Sequence, residues 1–476
     1  MPIILPGMKR RTKIVATLGP ACDSKEKVCA LVEAGVNVVR INCSHGAWDT
    51  RRLWAQWARE ACSDVSPIAL MVDLQGPKFR LGDIKGGYLE FAVNQTVTLG
   101  SSAEALLPIH QSEILAAMGP GGRLLLGDGE VEIRITAQKG ADYEGKVQTA
   151  GTVKSRQGIT LVGKVFDVPS LTDQDRNDVK EACAVGVDYI ALSYIRSAAD
   201  MRDLRREVDK YDPTIKLCAK IETRDGLKNI DDILKVADIV MVARGDMGLQ
   251  MELEDVPLAQ KRIIERCSEA GKPVITATQM LESMMHSPRP TRAETTDVAN
   301  AILDGTDAVM LSGETAAGLY PVECVKTMVR IAEKAETMYD RTKIESRFYE
   351  KVQSGITQTE AVCHSAASLS AQLKAQAIVT TSVSGATAQY VSKFRPKVPI
   401  LCATWNDRTR SQLAVVWGVE AISVKTSEAI DESIKDSIDG FFRHKRLKVG
   451  DRVVVVAGVP VAVSGHTNMI WTEIVK

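Results

Sequence analysis

The sequence predicts an α/β protein, because short apolar runs alternate with amphipathic stretches along most of its 476 residues. Eight runs are continuous and rich in β-branched residues, which is typical of strands buried on both faces of a parallel sheet. They lie at residues 13–17, 36–42, 68–73, 189–193, 216–222, 239–244, 273–278 and 308–312. Eight such units predict a closed (β/α)8 TIM barrel. A doubly wound open sheet is the alternative, but the chain lacks the Gly-rich phosphate fingerprint that such sheets often carry.

Helices are predicted between these strands. Residues 23–26 offer a cap and first-turn acids, residues 28–32 carry an apolar stripe, and Gly35 follows as the stop signal. Residues 254–270, which end before Gly271, repeat the same scheme.

One interval between strands is much longer than the others. Residues 88–93 and 131–136 alternate apolar and polar side chains there, among many glycines, which predicts a small all-β domain inserted where it covers the barrel mouth. Residues 322–373 are mostly helical in pattern, and strands recur from residue 377 onwards as a separate α/β domain. The predicted boundaries are 1–77 and 170–345 for the barrel, 78–169 for the inserted lid, and 346–476 for the C-terminal domain.

The composition of the chain argues against several classes of binding partner and indicates where the protein is located. Lysine plus arginine (60) equals aspartate plus glutamate (60), and there is no basic run, so a nucleic-acid or anionic-membrane partner is not expected. No apolar run reaches the roughly 18 residues of a transmembrane helix. The ten cysteines are scattered without a C-x-x-C pair, which favours buried reduced thiols. The cytoplasm is the expected location.

Polar residues at the C-terminal ends of barrel strands are the candidates for chemistry. They are Arg40 and Asn42 at the end of the second strand, Asp73 at the end of the third, Lys220 and Glu222 at the end of the fifth, Gly245 and Asp246 at the end of the sixth, Thr278 at the end of the seventh, and Ser312 at the end of the eighth. Glu222 and Asp246 come from adjacent strands, so both carboxylates can converge on one Mg²⁺. The alternative is that these acids form ion pairs with Lys220 or Arg244.

Other residues on this rim suit an anionic substrate. The Lys220 ammonium can offset charge on a transferring phosphoryl group or an enolate, and Arg40 can clamp a phosphate. Free backbone N–H groups at Gly245 and Asp246 can bind a carboxylate, and Thr278 can donate to it.

The chain resembles the pyruvate kinase family over nearly its whole length. The matching segments are KIVATLGP at 13–20, RINCSHG at 40–46, DLQGP at 73–77, KIE at 220–222, MVARGDMG at 241–248, ATQMLESM at 277–284, PRPTRAE at 288–294 and LSGETA at 311–316. The resemblance implies phosphoryl transfer from phosphoenolpyruvate to ADP, a Mg²⁺ cofactor that Mn²⁺ can replace, and a homotetramer.

The resemblance also implies roles for individual residues. Glu222 and Asp246 are the Mg²⁺ ligands, and Lys220 stabilises the transferring phosphoryl group. Gly245, Asp246 and Thr278 bind the substrate carboxylate, and Thr278 and Ser312 lie near the water that protonates the enolate. Phosphate and nucleotide contacts are Arg40, Asn42, His45 and Arg80, and Asp128 is the lid residue that approaches the substrate.

One departure from the family pattern concerns a monovalent cation. Many members hold K⁺ with the residues that match Asn42, Ser44, Asp73 and the carbonyl of position 74, but here the family threonine is Leu74 and the family glutamate is Lys78. We therefore expect the Lys78 ammonium to replace K⁺. The alternative is a solvated residue at the lid hinge.

The effector site is the second departure. Ser382, Ser384, Gly385 and Thr387 resemble the family's phosphate loop, but residues 458–465 lack the arginine that sugar-bisphosphate binders often carry. We expect a monophosphorylated sugar or nucleotide as effector, or none. Gln157 replaces a lysine that often contacts the nucleotide.

Two other functions fit parts of the pattern. A magnesium–enolate barrel with carbon–carbon chemistry explains Glu222 and Asp246 but not the lid or Lys220. A catalytically inactive metabolite sensor predicts losses at Lys220, Glu222, Asp246 or Thr278, and all four are present.

Overall fold

The structure, a computed structural model, describes residues 10–62, 67–127, 129–164, 166, 168–425, 429–460 and 466–476. The chain begins with three strand units of a barrel. Their elements are β1 (Lys13–Thr17), α1 (Lys25–Ala34), β2 (Val38–Asn42), α2 (Trp48–Glu60) and β3 (Ala69–Asp73). The predicted helix signals are confirmed in α1, because the Ser24 hydroxyl accepts from the Lys27 N–H and Gly35 ends the helix at φ 123°.

An inserted all-β unit follows β3. It contains β4 (Tyr88–Phe91), β5 (Thr96–Gly100), β6 (Leu107–Pro108), α3 (Ser112–Ala117), β7 (Arg123–Leu126), β8 (Val131–Lys139), β9 (Asp142–Val147), β10 (Gly151–Lys154) and β11 (Ile159–Leu161). Six of its strands form one sheet in the order β11–β7–β8–β9–β5–β6, and β10 pairs with β4. Alternate side chains of β8 are buried in the insert's own core, as period-two patterning predicts.

The chain then returns to the barrel. The elements are α4 (Asp173–Val185), β12 (Tyr189–Leu192), α5 (Ala198–Val208), β13 (Lys216–Ile221), α6 (Arg224–Lys228), α7 (Ile230–Leu234), β14 (Ile239–Ala243), α8 (Arg244–Gln250), α9 (Val256–Ala270), β15 (Val274–Ala277), α10 (Arg292–Asp304), β16 (Ala308–Leu311), α11 (Gly313–Ala316) and α12 (Pro321–Glu336). The barrel closes in the order β1–β16–β15–β14–β13–β12–β3–β2, with parallel pairs throughout. The predicted (β/α)8 barrel is confirmed.

The position of the insert follows from this order. β3 and β12 are direct neighbours in the barrel, with Ala191 paired to Asp73. The insert therefore leaves at the carboxyl end of β3 and rejoins the chain ahead of the adjacent strand. This places it beside the barrel mouth, where the strand-end residues meet.

The C-terminal part is a five-stranded α/β unit. It contains α13 (Thr342–Ser354), α14 (Gln358–Gln372), β17 (Ala377–Thr381), α15 (Ala386–Lys393), β18 (Ile400–Thr404), α16 (Asp407–Gln412), β19 (Val419–Ser423), α17 (Ile430–Arg443), β20 (Arg452–Ala457) and β21 (Met469–Ile474). The strand order is β19–β18–β17–β20–β21. The edge strand β21 is antiparallel to β20 and was not predicted from the sequence.

This unit packs against the amino-terminal ends of the barrel strands. Lys13 Nζ donates to the Val419 carbonyl at 2.6 Å, and the Tyr189 hydroxyl donates to the Gln412 carbonyl at 2.6 Å. Arg395 forms a buried ion pair with Asp307 at 2.8 Å. The C-terminal unit thus covers the end of the barrel opposite to the mouth.

Two simpler expectations can be compared directly with the structure. All ten cysteines are free, and seven of them are buried, which agrees with reduced thiols. In the part of the chain that the structure describes, no helix combines the length and the apolar character needed to cross a membrane.

Candidate active site

Lys220 is the centre of the site at the barrel mouth. It lies in β13, is only 8% exposed, and its Nζ donates to Ser193 Oγ at 2.7 Å. The same ammonium pairs with Asp73 Oδ1 at 3.2 Å and with Glu222 Oε1 at 3.0 Å. Burial disfavours the charged form, but these two carboxylates outweigh it and raise the pKa of Lys220 above its ordinary value. The residue is therefore a fixed, buried positive charge.

Arg40 is anchored beside Lys220 by the same aspartate. Its Nε donates to Asp73 Oδ2 at 2.8 Å, and another guanidinium nitrogen donates to Thr17 Oγ1 at 3.0 Å. Burial opposes ionisation of Asp73, yet Lys220 and Arg40 hold the pKa of this carboxyl below its usual range. Asp73 thus orients two cations toward the mouth and keeps them apart from each other.

Glu222 is fully buried at the end of β13. Its Oε2 accepts from the Tyr194 backbone N–H at 2.9 Å, whereas Oε1 has no hydrogen-bond partner beyond its ion pair with Lys220. Burial raises the pKa of Glu222 to about 7; Lys220 opposes the rise, and the negative charge of Asp246 adds to it. The two acids therefore lie close enough to repel each other.

Asp246 lies in the first turn of α8, directly after β14. Its Oδ1 accepts from the Tyr194 hydroxyl at 3.1 Å and lies 3.5 Å from Lys78 Nζ. The predicted convergence of Glu222 and Asp246 is thus supported by a residue that contacts both. Part of the ion-pair alternative is also present, since Lys220 pairs with Glu222, but Arg244 pairs with Asp297 instead.

Thr278 lies in a strained turn after β15. Its φ is 69° and that of Gln279 is 53°, both in the left-handed region that residues with a Cβ rarely adopt. The Thr278 hydroxyl accepts from the Gly245 N–H at 2.8 Å. The Gly245 N–H is therefore not free in this structure, contrary to the sequence-based expectation. Arg244 supports the turn by donating to the Thr278 carbonyl at 2.7 Å.

Ser312 follows β16 on the next part of the rim. Its backbone N–H donates to Glu314 Oε2 at 2.7 Å, and the other carboxylate oxygen of Glu314 accepts from the Leu281 N–H at 3.0 Å. Glu314 is fully buried, so it links the loop after β15 to the loop after β16. The Ser312 hydroxyl is buried, and no described residue forms a hydrogen bond with it.

A cavity of about 480 Å³ joins the barrel mouth to the insert. The barrel contributes most of the predicted residues, and the insert contributes the opposite wall. The lining residues include Arg40, Asn42, Ser44, His45, Leu74, Lys78, Arg80, Gln157, Lys220 and Asp246. Gln157 donates to Glu130 Oε2 at 3.0 Å. Asp128, the predicted lid residue, lies outside the described residues.

The candidate cation pocket is held by internal contacts. Asn42 Oδ1 accepts from the Ser44 N–H at 3.0 Å, and the Leu74 carbonyl accepts from Ser193 Oγ at 2.9 Å. The only ion pair of Lys78 within the described chain is the one with Asp246, so its ammonium lies nearer to that acid than the sequence argument assumed.

The predicted effector loop directly precedes α15. Ser382 Oγ accepts from the Gly385 N–H at 3.0 Å, and Gly385 adopts φ 78°. The Thr387 hydroxyl lies 2.8 Å from that of Thr467 and is buried. Ser384 is at the start of this turn, and residues 461–465 of the predicted late loop are outside the described part of the chain.

Three residues of the site were missed by the sequence analysis: Ser193, Tyr194 and the supporting role of Arg244. Ser193 and Tyr194 directly follow β12, so the rule that singles out strand ends was sufficient to find them. Arg244 was considered only as a partner for the acids, because the direction of its side chain cannot be read from sequence.

Models of two protein domains match this chain: the pyruvate kinase barrel domain over residues 9–325 and the pyruvate kinase alpha/beta domain over residues 360–471. The chain belongs to the pyruvate kinase family. The pyruvate kinase of Geobacillus stearothermophilus is 40% identical, with 98% of this chain and 81% of the relative covered, and that of Clostridium acetobutylicum is 38% identical, with 98% and 100% covered.

A crystal structure supports the same conclusion. A pyruvate kinase from Cryptosporidium parvum superposes with a TM-score of 0.91 at 32% identity, covering 98% of this chain and 97% of the other. As a pyruvate kinase, the chain transfers a phosphoryl group from phosphoenolpyruvate to ADP, giving pyruvate and ATP in glycolysis. The inactive-sensor and carbon–carbon alternatives are thereby set aside. The pyruvate kinase family generally uses Mg²⁺.

Proposed function

We propose that Lys220 is the central catalytic residue of this pyruvate kinase. The observation that carries the proposal is its buried ammonium, held in the charged form between Asp73 and Glu222 at the barrel mouth. A fixed cation in a water-poor site offsets charge that develops on the transferring phosphoryl group and on the enolate oxygen, without reorganisation during the reaction. Arg40, anchored by Asp73, binds the phosphate of phosphoenolpyruvate from the neighbouring strand.

Glu222 and Asp246 are the proposed ligands of Mg²⁺. Within the described residues, no group of three or more acidic, histidine or cysteine side chains is arranged around a common point. Two carboxylates suit Mg²⁺, which completes its shell with substrate oxygens and water. The complete burial of Glu222 and the mutual repulsion of the two acids fit a divalent cation such as Mg²⁺, which Mn²⁺ can replace. When bound, the cation offsets negative charge on the phosphoryl and enolate oxygens.

The loop after β15 is the proposed carboxylate site. The substrate carboxylate replaces the internal bond between the Thr278 hydroxyl and the Gly245 N–H, so that both groups, together with the Asp246 N–H, turn to the substrate. Thr278 and Ser312 then hold the water that protonates the enolate. The unpartnered Ser312 hydroxyl supports this role, because a buried hydroxyl without a partner is costly unless a water or ligand satisfies it.

The wall formed by the insert is the proposed nucleotide side. Arg80 from the insert and Asn42 and His45 from the barrel line the cavity together, and they supply a cation and polar groups for the phosphates of ADP. Asp128 is proposed to approach the substrate when the insert closes.

Several finer features complete the proposal. Lys78 lines the cavity and replaces K⁺, so the enzyme needs no monovalent cation. The turn at Ser382, Ser384, Gly385 and Thr387 binds a monophosphorylated effector, if the enzyme has one. The domains divide at 1–77 with 170–345, 78–169 and 346–476. A cytoplasmic homotetramer follows from the family resemblance.

A lysine substitution tests the central role. The Lys220→Met variant retains a side chain of similar length without its charge, so turnover in a coupled ATP-formation assay should fall about 100- to 1000-fold. Mn²⁺ binding, measured by electron paramagnetic resonance, should persist because Glu222 and Asp246 remain.

Lys235→Met is the matched control. Lys235 is a solvent-exposed lysine directly after α7, and its ion pair among the described residues is with Asp232. Turnover of this control should equal that of the wild type. If Lys220→Met also turns over at the wild-type rate, the central role passes to other residues.

A further inference from the structure

Tyr194 occupies an unusual backbone position between β12 and α5. Its φ is 57°, in the left-handed region that a residue with a Cβ rarely occupies. Such a conformation persists only where surrounding contacts enforce it. Here the backbone turns so that the amide and the side chain of one residue reach the ends of the next two barrel strands.

The two contacts fall on the two proposed metal ligands. The Tyr194 N–H donates to Glu222 Oε2 at 2.9 Å, and its hydroxyl donates to Asp246 Oδ1 at 3.1 Å. Glu222 follows β13 and Asp246 follows β14, so the two acids belong to different strands of the barrel. Tyr194 is thus a bridge between them.

Each contact leaves one carboxylate oxygen for another partner. Glu222 Oε1 has no hydrogen-bond donor and only the ion pair with Lys220, and the contacts of Asp246 within the described chain all fall on Oδ1. Donors behind a metal ligand fix the orientation of that ligand, and their loss commonly weakens metal binding by a factor of about 10 to 100.

We propose that Tyr194 is a positioning residue of the divalent-cation site, and that its hydroxyl holds the Asp246 carboxylate in the orientation in which it would bind the metal together with Glu222. The inference rests on the proposed assignment of Glu222 and Asp246 as metal ligands. Lys78 approaches the same Asp246 oxygen at 3.5 Å, so the hydroxyl also keeps this carboxylate from rotating fully toward the lysine ammonium.

The test is direct Mn²⁺ binding to the full-length enzyme without substrates. Tyr194→Phe keeps the ring and the backbone N–H but removes the hydroxyl. We expect the Mn²⁺ dissociation constant, measured by electron paramagnetic resonance, to rise about tenfold, and the Mg²⁺ concentration for half-maximal activity to rise in parallel. An unchanged Mn²⁺ dissociation constant would overturn the positioning role.

Two further variants separate the possible failures. Tyr143→Phe is the matched control, because it removes a tyrosine hydroxyl that donates to the Leu115 carbonyl at 2.8 Å inside the insert, and it should bind Mn²⁺ like the wild type. If Tyr143→Phe also bound Mn²⁺ about tenfold more weakly, the effect of Tyr194→Phe would be a general loss of stability and the inference would be wrong. Glu222→Gln tests the metal assignment itself: if it binds Mn²⁺ as tightly as the wild type, the proposed ligand pair is wrong, whatever Tyr194→Phe does.

Discussion

At the scale of single residues, the charged side chains of the site each contact more than one partner. Asp73 divides its two oxygens between Arg40 and Lys220, and Lys220 divides its donors among Asp73, Glu222 and Ser193. Removing one member therefore leaves another buried charge uncompensated. The residue types and strand ends could be predicted from the sequence, since they follow from the barrel rule. The directions of the Tyr194 and Arg244 side chains could not, because they depend on a strained φ and on a loop from another strand.

Lys78 carries a prediction about monovalent cations. Its ammonium is a fixed positive charge in the same cavity as Asn42 and Ser44, so K⁺ should raise the turnover of the wild-type enzyme by less than about twofold. Lys78→Glu removes this charge and restores the family glutamate, and we expect K⁺ to stimulate that variant about tenfold or more. The measurement is a steady-state assay in buffers free of K⁺ and Na⁺, with tetramethylammonium as the inert salt.

The control for this assay is Lys85→Glu, which reverses a lysine charge in the insert away from the cavity lining. It should show no K⁺ response. A large stimulation of the wild-type enzyme by K⁺ would refute the replacement.

At the scale of elements, the eight barrel strands agree with the sequence patterns to within about two residues at each end. Continuous apolar runs locate the barrel strands because both of their faces are buried. The pattern failed at β21, whose side chains are exposed or half-buried and therefore lack a run of buried apolar residues. Close approaches between elements are also invisible in the sequence. Gly19 is an example: a Cβ placed there would lie 2.5 Å from the Ala316 carbonyl oxygen of α11.

Gly19→Ala should therefore destabilise the protein. The new methyl group meets the backbone of Ala316 rather than a flexible side chain, so the turn after β1 and α11 must move apart, at a cost of about 2 kcal/mol. Urea unfolding followed by tryptophan fluorescence measures this difference. Gly119→Ala is the control, because its Cβ has no atom within 4 Å. If the two variants had the same free energy of unfolding, α11 would accommodate the new methyl group without loss of stability.

At the scale of the whole molecule, Lys393 of the C-terminal unit makes a hydrogen bond to the barrel and is held by an ion pair within its own unit. Lys393 Nζ donates to the Glu269 carbonyl at the end of α9 and pairs with Glu360 at 2.7 Å, and Lys351 pairs with the same glutamate oxygen. Burial opposes ionisation of Glu360, but the two lysines and the Thr357 N–H outweigh it and lower the pKa of this carboxyl to about 2. These contacts join residues that are far apart in sequence, so the sequence analysis could not anticipate them.

Glu360→Gln should lower stability in a pH-dependent way. Because the folded-state pKa is below the ordinary value of 4.5, the stabilisation is complete above about pH 4.5 and is lost as the pH falls toward 2. We expect the variant to be about 2 kcal/mol less stable at pH 7, and the difference to shrink below pH 4.5. Urea unfolding at a series of pH values gives both quantities.

Glu323→Gln provides the comparison, because Glu323 pairs with Lys326 on an exposed surface of α12. Its effect at pH 7 should be much smaller than that of Glu360→Gln. A Glu360→Gln effect that stays constant from pH 7 down to pH 3 would contradict the ion-pair explanation.

The strand β1 has consequences beyond the closure of the barrel. Its first residue, Lys13, bonds to the Val419 carbonyl of the C-terminal unit, and the hydroxyl of its last residue, Thr17, accepts from Arg40. Five extended residues, a rise of roughly 13 Å from the first to the last, thus separate the contact with the C-terminal unit from Arg40, the arginine proposed to bind phosphate. β1 is thus a direct mechanical linkage between the remote unit and the barrel mouth, and it is paired on both sides, with β16 and with β2.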